Sequence, residues 1–431
     1  MGGTLERRLR GEIQSDLLFS YFSFAIMVGA GFVIDALISI RFGPGLFGVY
    51  NQVSAIYLVA TQFAVGGIHF SAGKYLAEYI DDPRESAAVF SSAWFSTLFL
   101  SLPSSLLLFC LRRPLGRVLE AGSPDIVYGI SAVSLALLFF SLNKTVLSAL
   151  NGQKRMREFA VAQALRYILI LASVVFLPII TGSPRCLLFC YLVAELSLFL
   201  GLSVWIGTIR PISPWRSFRP SRTWLVRHLS FGARGFATGV LVEANTRVDI
   251  LMLGFFCDDA TVGIYSLASR IGEGFLNVLV VVKRNLNPVL VELARPGNEG
   301  LKRLVRKTLV YVYPGSAVFG SMVYFAFPLA VSLLGFDTSF LAARRPLSIL
   351  LAGIVASSGY LVFDNLPMQA GRPGLQTFLF GAAVALNCVV NASLIPVFGM
   401  EGAAAATSIS YVGSVVLLIV MSRRSLKLKL L

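Results

Sequence analysis

The sequence has few of the residue types on which catalytic and metal sites depend. Its 431 residues include two histidines, His69 and His228, and five cysteines, and no two cysteines form a Cys-x-x-Cys pair. A structural zinc site needs several Cys and His ligands at short spacings, and a nucleophilic triad needs a histidine beside its nucleophile. We therefore expect no metal site, no bound cofactor and no enzymatic activity.

Charged residues are also scarce. They make up 14% of the chain, and apolar residues make up 56%, whereas a soluble domain has about 25% charged and about 45–50% apolar residues. This composition indicates that lipid surrounds most of the chain. The formal net charge is +15, but the Lys and Arg residues lie in short segments between apolar runs. That pattern sets membrane orientation, and we expect no nucleic-acid partner.

Long apolar runs follow one another along the whole chain. Runs of about 18 residues or more can cross the hydrocarbon layer, which is roughly 30 Å thick, as helices. The first run is too long for the core of a signal peptide, so we expect it to be retained. The sequence therefore predicts an all-α membrane protein with about twelve transmembrane helices, near residues 17–40, 48–70, 87–111, 126–150, 159–181, 186–209, 230–256, 262–285, 308–335, 346–370, 375–396 and 402–421.

The connecting segments differ in their content of basic residues. If the N-terminus is cytoplasmic, the segments on the inner side carry most of the Lys and Arg residues outside the spans, and the outer segments carry few. Cytoplasmic loops of membrane proteins are enriched in these residues. We therefore expect a multi-pass protein of the cell membrane with both termini in the cytoplasm and Cys257 in an outer loop.

The two halves of the chain share a short repeat. Residues 48–50 (GVY) open the second span, and residues 263–265 (GIY) open the eighth. A Pro-rich segment at 210–229 separates an N-terminal lobe at 1–209 from a C-terminal lobe at 230–431. Because each lobe holds an even number of spans, we expect two six-helix lobes with pseudo-two-fold symmetry about an axis along the membrane normal, joined by a cytoplasmic linker.

Several prolines fall inside predicted spans. Each removes a backbone donor, so a local bend is expected where neighbouring groups satisfy the freed carbonyl. Pro367 is the proline for which we favour a gating role, because Asp364 and Asn365 lie beside it.

Charged residues inside the spans are costly. Near the bilayer centre each costs about 2.5–3.5 kcal/mol, so we expect these side chains to face one another or a watery cavity. Lys144, Arg166 and Arg234 lie near cytoplasmic helix ends, where the side chains can reach the interface. The eleven charged residues within spans are Asp35, Lys144, Arg166, Glu195, Arg234, Glu243, Arg247, Asp249, Arg270, Glu273 and Asp364.

Spans seven and eight carry most of the deep charges. At 1.5 Å per residue, Asp249 and Arg270 reach similar depth on antiparallel helices, as do Arg247 and Glu273. We therefore predict two ion pairs between these spans, and a third pair between Glu243 and Arg247, which are four residues apart. Such pairs either hold the helices together or line a transport path, and the sequence leaves both readings open.

Short Gly-rich motifs around these spans resemble those of a known family. They are residues 41–50 (RFGPGLFGVY), 73–78 (GKYLAE), 248–254 (VDILMLG), 262–268 (VGIYSLA), 287–288 (NP) and 398–407 (FGMEGAAAAT). In order and spacing they are similar to the polysaccharide and O-antigen flippases of the multidrug/oligosaccharidyl-lipid/polysaccharide exporter (MOP) superfamily. The likeness covers nearly the whole chain.

The resemblance implies a transporter. Members of this family have two six-helix lobes with a central, often cationic cavity, and move lipid-linked oligosaccharides from the cytoplasmic to the outer face by alternating access, in several cases coupled to H+ or Na+. Asp249 matches the acidic position of the seventh-span motif. The candidate substrate-binding cations are Arg247, Arg270, Arg234, Arg166 and Lys144, and the candidate ion-coupling carboxylates are Asp249, Glu243, Glu273, Asp35 and Asp364.

The expected partners follow from that function. They are membrane lipids, the lipid-linked oligosaccharide and polysaccharide polymerase or glycosyltransferase machinery. An ion-coupled multidrug or metabolite antiporter of the same fold is the nearest alternative, and a non-transporting membrane assembly or scramblase-like protein is a more distant one. A flippase needs fixed positive charge for a phosphate-bearing head group, whereas a drug exporter needs an acidic, aromatic-lined cavity.

Overall fold

A computed structural model describes residues 2–119, 124–206, 219–294 and 299–426, and every regular element in these ranges is a helix. Short 3-10 helices at Pro184–Phe189 and Thr338–Ala343 precede α6 and α10. The α-helices are α1 Gly2–Val65, α2 Ile68–Glu78, α3 Pro83–Val118, α4 Pro124–Gly152, α5 Met156–Thr181, α6 Cys190–Ile206, α7 Arg222–Phe256, α8 Asp259–Leu293, α9 Glu299–Leu333, α10 Arg344–Leu361, α11 Leu366–Gln369 and α12 Pro373–Arg424.

Two of these helices each hold two predicted spans, separated by a glycine. Gly43 interrupts α1 with φ of 75°, and Gly399 interrupts α12 with φ of 55°. These angles lie in the left-handed region, which glycine adopts without the penalty that a Cβ imposes. Pro44 adds to the first break, because the residue before a proline is disfavoured in the helical region. The first break lies between the predicted spans one and two, and the second lies between spans eleven and twelve.

Within the described residues, nine helices are long and apolar enough to cross a membrane, including the doubled helices α1 and α12. Helix α7 is not among them, although it corresponds to the predicted seventh span. Charged residues are spread along its length, among them Arg234, Glu243 and Arg247. A helix of this kind needs protein or water beside it, since lipid cannot solvate these groups.

The tenth predicted span is interrupted next to Pro367, where the sequence predicted a bend. Helix α10 ends at Leu361, a turn occupies residues 362–365, and α11 begins at Leu366. Pro367 lies in the first turn of α11, where a missing N–H costs no helical hydrogen bond. The expected bend is confirmed, and it places Asp364 in the turn.

The chain divides into two compact units. The first consists of Met1–Ile38 and Ile56–Val240, and the second of Ser39–Ala55 and Leu241–Leu431. Residues 39–55 therefore belong to the second unit, and the first part of α7 belongs to the first. The lobes at 1–209 and 230–431 and the cytoplasmic linker between them stay predictions, and linker residues 210–218 lie outside the described part of the chain.

The repeated glycines form a reciprocal contact within the second unit. A Cβ on Gly48 would overlap the carbonyl oxygen of Asp259, and a Cβ on Gly263 would overlap that of Pro44. The residue offset from Pro44 to Asp259 equals that from Gly48 to Gly263, so the contact has the symmetry of the sequence repeat. Only glycine permits so close a backbone approach.

Replacement of Gly48 by alanine should lower the thermal stability of the purified protein. The added methyl would force the second segment of α1 away from the start of α8, and overpacking of this kind costs about 1–3 kcal/mol. Gly45→Ala is the matched control, because a Cβ on Gly45 meets no atom within 4 Å. Equal melting temperatures for the two variants would contradict this account of the contact.

Candidate functional site

The carboxylate of Asp249 lies at the centre of a buried polar cluster in the second unit. Only 5% of the residue is exposed. Its Oδ1 accepts hydrogen bonds from Asn387 Nδ2 at 3.0 Å and Asn391 Nδ2 at 3.1 Å. Its Oδ2 accepts from Tyr265 Oη at 3.1 Å and from Thr407 Oγ1 at 2.5 Å. All four of these donors are neutral, so they orient the carboxylate without cancelling its charge.

The break in α12 helps to assemble this cluster. Asn387 and Asn391 are one turn apart before Gly399, so they lie on one face of the helix. Thr407 follows the break, and its Oγ1 also lies 3.1 Å from the carbonyl oxygen of Ala403. The two halves of α12 thus both reach the same carboxylate on α7.

The cluster also contains amide oxygens. Asn387 Oδ1 accepts from Asn391 Nδ2 at 2.8 Å, and Asn391 Oδ1 is buried without a hydrogen-bond partner. Buried polar atoms are nearly always paired, so an orphan acceptor beside an uncompensated carboxylate marks a place suited to a cation. Oxygen ligands of this kind suit hard cations, and the carboxylate alone suits a proton.

A second set of charges lies on α7 and α8. Arg247 contacts Glu243 at 3.4 Å and Glu273 at 3.3 Å, and Arg270 contacts Glu273 at 2.8 Å. The predicted pairs of Arg247 with Glu243 and Glu273 are confirmed. The predicted pair of Asp249 with Arg270 is wrong: Arg270 binds Glu273 on its own helix, and Asp249 is held by neutral donors. In this network the two guanidinium groups are balanced by two carboxylates.

A cavity of about 300 Å³ opens beside these groups in the second unit, and leucine, valine and isoleucine side chains cover much of its wall. Asp249, Glu273 and Asp364 contribute the acidic part of the lining. Asp364 is paired with Lys283, which also lines the cavity, at 3.0 Å. The cavity therefore combines a large apolar surface with a few carboxylates.

The first unit holds a different buried ion pair. Arg166 Nε lies 3.0 Å from Glu195 Oε1, and Asn143 Nδ2 donates to Glu195 Oε2 at 2.8 Å. Glu195 is 1% exposed and Arg166 is 9% exposed. A pair this deeply buried is costly to break, because removal of one partner leaves the other charge without compensation.

A second cavity, of about 440 Å³, lies against Arg166. Three helices of the first unit form its wall, namely α2, α4 and α5. Its basic and polar lining residues are His69, Lys74, Lys144, Ser148, Asn151, Gln163 and Arg166, and Phe70, Phe140 and Phe159 are the aromatic ones. No acidic residue lines this cavity in the described part of the chain.

The predicted site residues thus fall into separate groups. Arg247, Arg270, Glu243 and Glu273 form one network, and Asp249 and Asp364 lie on the cavity that this network adjoins. Lys144 and Arg166 line the cavity of the first unit. Asp35 is buried in the first unit, and Arg234 is exposed, with its Nε donating to the Ser230 carbonyl at 3.2 Å. Neither of these two lines either cavity.

Several residues of the two cavities were not predicted as site residues from the sequence. They are the four neutral donors to Asp249 and the basic residues Lys283, His69 and Lys74. One signal was available, because Asn387 and Asn391 are four residues apart in an otherwise apolar span. Tyr265 and Thr407 lie in the motifs at 262–268 and 398–407, but nothing in those motifs indicated that these side chains contact a carboxylate.

Comparison with known proteins places the chain in a family. Residues 18–293 match the family of polysaccharide biosynthesis proteins. A probable flippase of Haloferax volcanii, AglR, is 27% identical over 88% of this chain and 77% of its own length. The Lipid III flippase of Escherichia coli is 24% identical over 92% of this chain and 94% of its own length.

Solved structures agree on the fold. The Lipid II flippase MurJ in an inward closed conformation superposes with a TM-score of 0.74 at 18% identity, covering 94% of this chain and 87% of MurJ. An inward-facing multidrug resistance MATE transporter gives a TM-score of 0.70 at 13% identity, covering 92% of this chain and 98% of that one. Both have the two-lobe MOP fold that the sequence predicted. The chain belongs to the polysaccharide biosynthesis protein family of the MOP superfamily.

Proposed function

We propose that this protein is a flippase that moves a lipid-linked oligosaccharide from the cytoplasmic to the outer leaflet by alternating access, for export of a polysaccharide or glycan. The observation that carries the proposal is the alignment with two proteins named as flippases over most of this chain. The basic cavity of the first unit supports it, because a polyprenyl phosphate or diphosphate must leave water with its negative charge. Lysine and arginine are the side chains that receive such groups.

One observation favours a second function. The cavity of the second unit is apolar and acidic, which suits an amphiphilic cation, and MATE multidrug transporters share the fold. An ion-coupled multidrug or metabolite antiporter is therefore the alternative.

The proposed flippase has membrane lipids and the lipid-linked substrate as its partners. We extend this proposal to the polymerase or glycosyltransferase machinery that makes or uses the glycan.

We place the protein in the cytoplasmic membrane with both termini inside, on the basis of the Lys and Arg excess in the inner segments. Cys257, between α7 and α8, should then react with a membrane-impermeant thiol reagent on intact cells. Burial raises the pKa of the Cys257 thiol, as does the neighbouring Asp258 carboxylate. Labelling should therefore speed up as the pH rises, because the thiolate is the reactive form.

The orientation test uses a chain whose other four cysteines are changed to serine. A second version carries Lys302→Cys instead of Cys257, on an exposed position of α9 that we place inside. It should react only after the cells are permeabilised. The opposite pattern for the two positions would reverse the orientation.

Transport itself is tested in liposomes that contain the purified protein. We expect it to bring a fluorescent polyprenyl diphosphate sugar from the inner leaflet to an external quencher, and to leave a fluorescent phosphatidylcholine where it was. Movement of both lipids would indicate a scramblase. Uptake of an organic cation without movement of the diphosphate lipid would favour the antiporter.

Ion coupling is proposed at Asp249. The other carboxylates of the second unit that we considered, Glu243, Glu273 and Asp364, each have a cationic partner within 3.4 Å. Asp249, Asn387, Asn391 and Thr407 would hold Na+, or Asp249 would take up a proton. Asp35 remains a weaker candidate in the first unit. An ion bound here would supply positive charge to a buried carboxylate whose neighbours are neutral.

Replacement of Asp249 by asparagine should abolish the dependence of transport on an imposed ion gradient. The variant keeps the size of the side chain and removes its charge. A Na+ gradient at equal pH and a pH gradient without Na+ identify the ion. The double variant Asp364→Asn with Lys283→Gln removes an entire ion pair from the same cavity, and its gradient dependence should persist. An unchanged gradient response in Asp249→Asn rules out this coupling site.

A further inference from the structure

Helix α3 of the first unit has an apolar face that is exposed over several turns. The helix is long and apolar enough to cross a membrane. Phe95, Phe99, Leu102 and Leu106 are all exposed. Because they follow one another at spacings of three and four residues, they form one stripe along the helix. A continuous exposed apolar stripe on a membrane span is a surface for lipid chains.

Two arginines continue this stripe beyond the span. Arg113 lies seven residues after Leu106 and Arg117 four residues further on, so both project from the face that carries the stripe. Both are exposed. At 1.5 Å per residue, Arg113 is about 27 Å from Phe95 along the axis, close to the hydrocarbon thickness of roughly 30 Å. The arginines therefore lie at the level of the lipid head groups.

The charges of these arginines are not neutralised within the described residues, where neither Arg113 nor Arg117 forms an ion pair. Arg185, which follows α5, is in contrast paired with Asp125 at 2.8 Å. Like charges one turn apart on a helix repel each other. An anion held by both guanidinium groups would remove this repulsion.

Membrane orientation does not account for the pair. In the orientation proposed above, α3 runs from the inner to the outer side, so Arg113 and Arg117 lie at its outer end. Lys and Arg are enriched in inner segments, and positive charge at an outer end opposes that bias. An anionic ligand at the outer end gives these two residues a role that orientation does not.

We infer that Arg113 and Arg117 bind the phosphate of an anionic phospholipid, whose acyl chains lie along the stripe of Phe99, Leu102 and Leu106. A guanidinium donates two parallel hydrogen bonds to a phosphate. Phosphatidylglycerol has a net negative charge, whereas the choline group of phosphatidylcholine cancels that of its phosphate. The site therefore prefers phosphatidylglycerol. This binding is a property of the lipid-facing surface of α3 and is separate from the proposed transport function.

Cys110 provides a probe beside the site. It is exposed and lies three residues before Arg113, on the face of the stripe. The other four cysteines are changed to serine, and a fluorophore is attached to Cys110. The labelled protein is placed in phosphatidylcholine vesicles with a rising share of brominated phosphatidylglycerol or brominated phosphatidylcholine. Bromine quenches at short range, so we expect stronger quenching by brominated phosphatidylglycerol at equal share.

The arginine variants measure what each charge contributes. Arg113→Gln and Arg117→Gln should each lower the relative affinity for phosphatidylglycerol about fivefold, the effect of one basic residue near anionic lipid. The double glutamine variant should lose the preference, and the double lysine variant should keep part of it. All these positions are exposed, so melting temperatures in phosphatidylcholine alone should equal that of the parent protein.

Arg112→Gln is the matched control. Arg112 is on the same helix at the same depth but points to another face, where its Nη1 donates to the carbonyl oxygen of Phe109 at 2.6 Å. Its guanidinium carbon lies 3.8 Å from the centroid of the Phe109 ring. This variant removes one positive charge beside the site, and the preference for phosphatidylglycerol should persist.

Three results would overturn the inference. One is equal quenching of the parent protein by the two brominated lipids. Another is an equal preference in the double glutamine variant and in Arg112→Gln, which would assign the preference to the net charge of +15. The third is displacement of brominated phosphatidylglycerol by millimolar inorganic phosphate, which would mean that the arginines bind a free anion and the apolar stripe contributes nothing.

Discussion

Lipid offers no partner to a charged or polar group, and this constraint governs the polar side chains of the spans. Helix α7 carries Arg234, Glu243, Arg247 and Asp249 within the stretch that the sequence predicts as the seventh span. Each deep charge costs about 2.5–3.5 kcal/mol if lipid surrounds it. The neighbouring helices supply what the lipid lacks: α8 brings Glu273 and Tyr265, and α12 brings two asparagines and a threonine. The contacts around α7 therefore follow from the need to give its charged groups polar partners.

Charge is compensated in different ways in the two units. In the second unit the arginines are matched by glutamates, and Asp249 is surrounded by dipoles that leave its charge intact. In the first unit Arg166 is matched by Glu195, and lysines add positive charge on the same cavity. A census of intramembrane charges over the whole chain cannot distinguish a binder of anions from a binder of cations, because acids and bases nearly balance. The structure separates these charges, because the cavity of the first unit is lined by basic residues and the cavity of the second unit carries three carboxylates.

Much of the fold could be predicted from the sequence. The lengths of the apolar runs predicted the helices, and the glycines at 43 and 399 explain why two pairs of spans form single interrupted helices. Depth along α7 and α8 correctly predicted the contact of Arg247 with Glu273. It failed for Asp249 and Arg270, because equal depth does not fix the direction in which a side chain points around the helix axis. The neutral donors from α12 were not predicted. Asn387 and Asn391 stand out in an apolar span, but their polarity does not show which group they contact, and a single threonine leaves little trace in a hydropathy pattern.

The distance in sequence between Asp249 and its donors bears on how the protein is made. Asn387, Asn391 and Thr407 follow Asp249 by 138, 142 and 158 residues. A ribosome adds about 5–20 residues per second, so α7 is complete on the order of ten seconds before α12 exists. During that interval the carboxylate has to be accommodated by water, by a proton or by the insertion machinery. Helix α7 therefore reaches its final environment only when the last helix of the chain is synthesised, and slow elongation between these two helices prolongs its exposure.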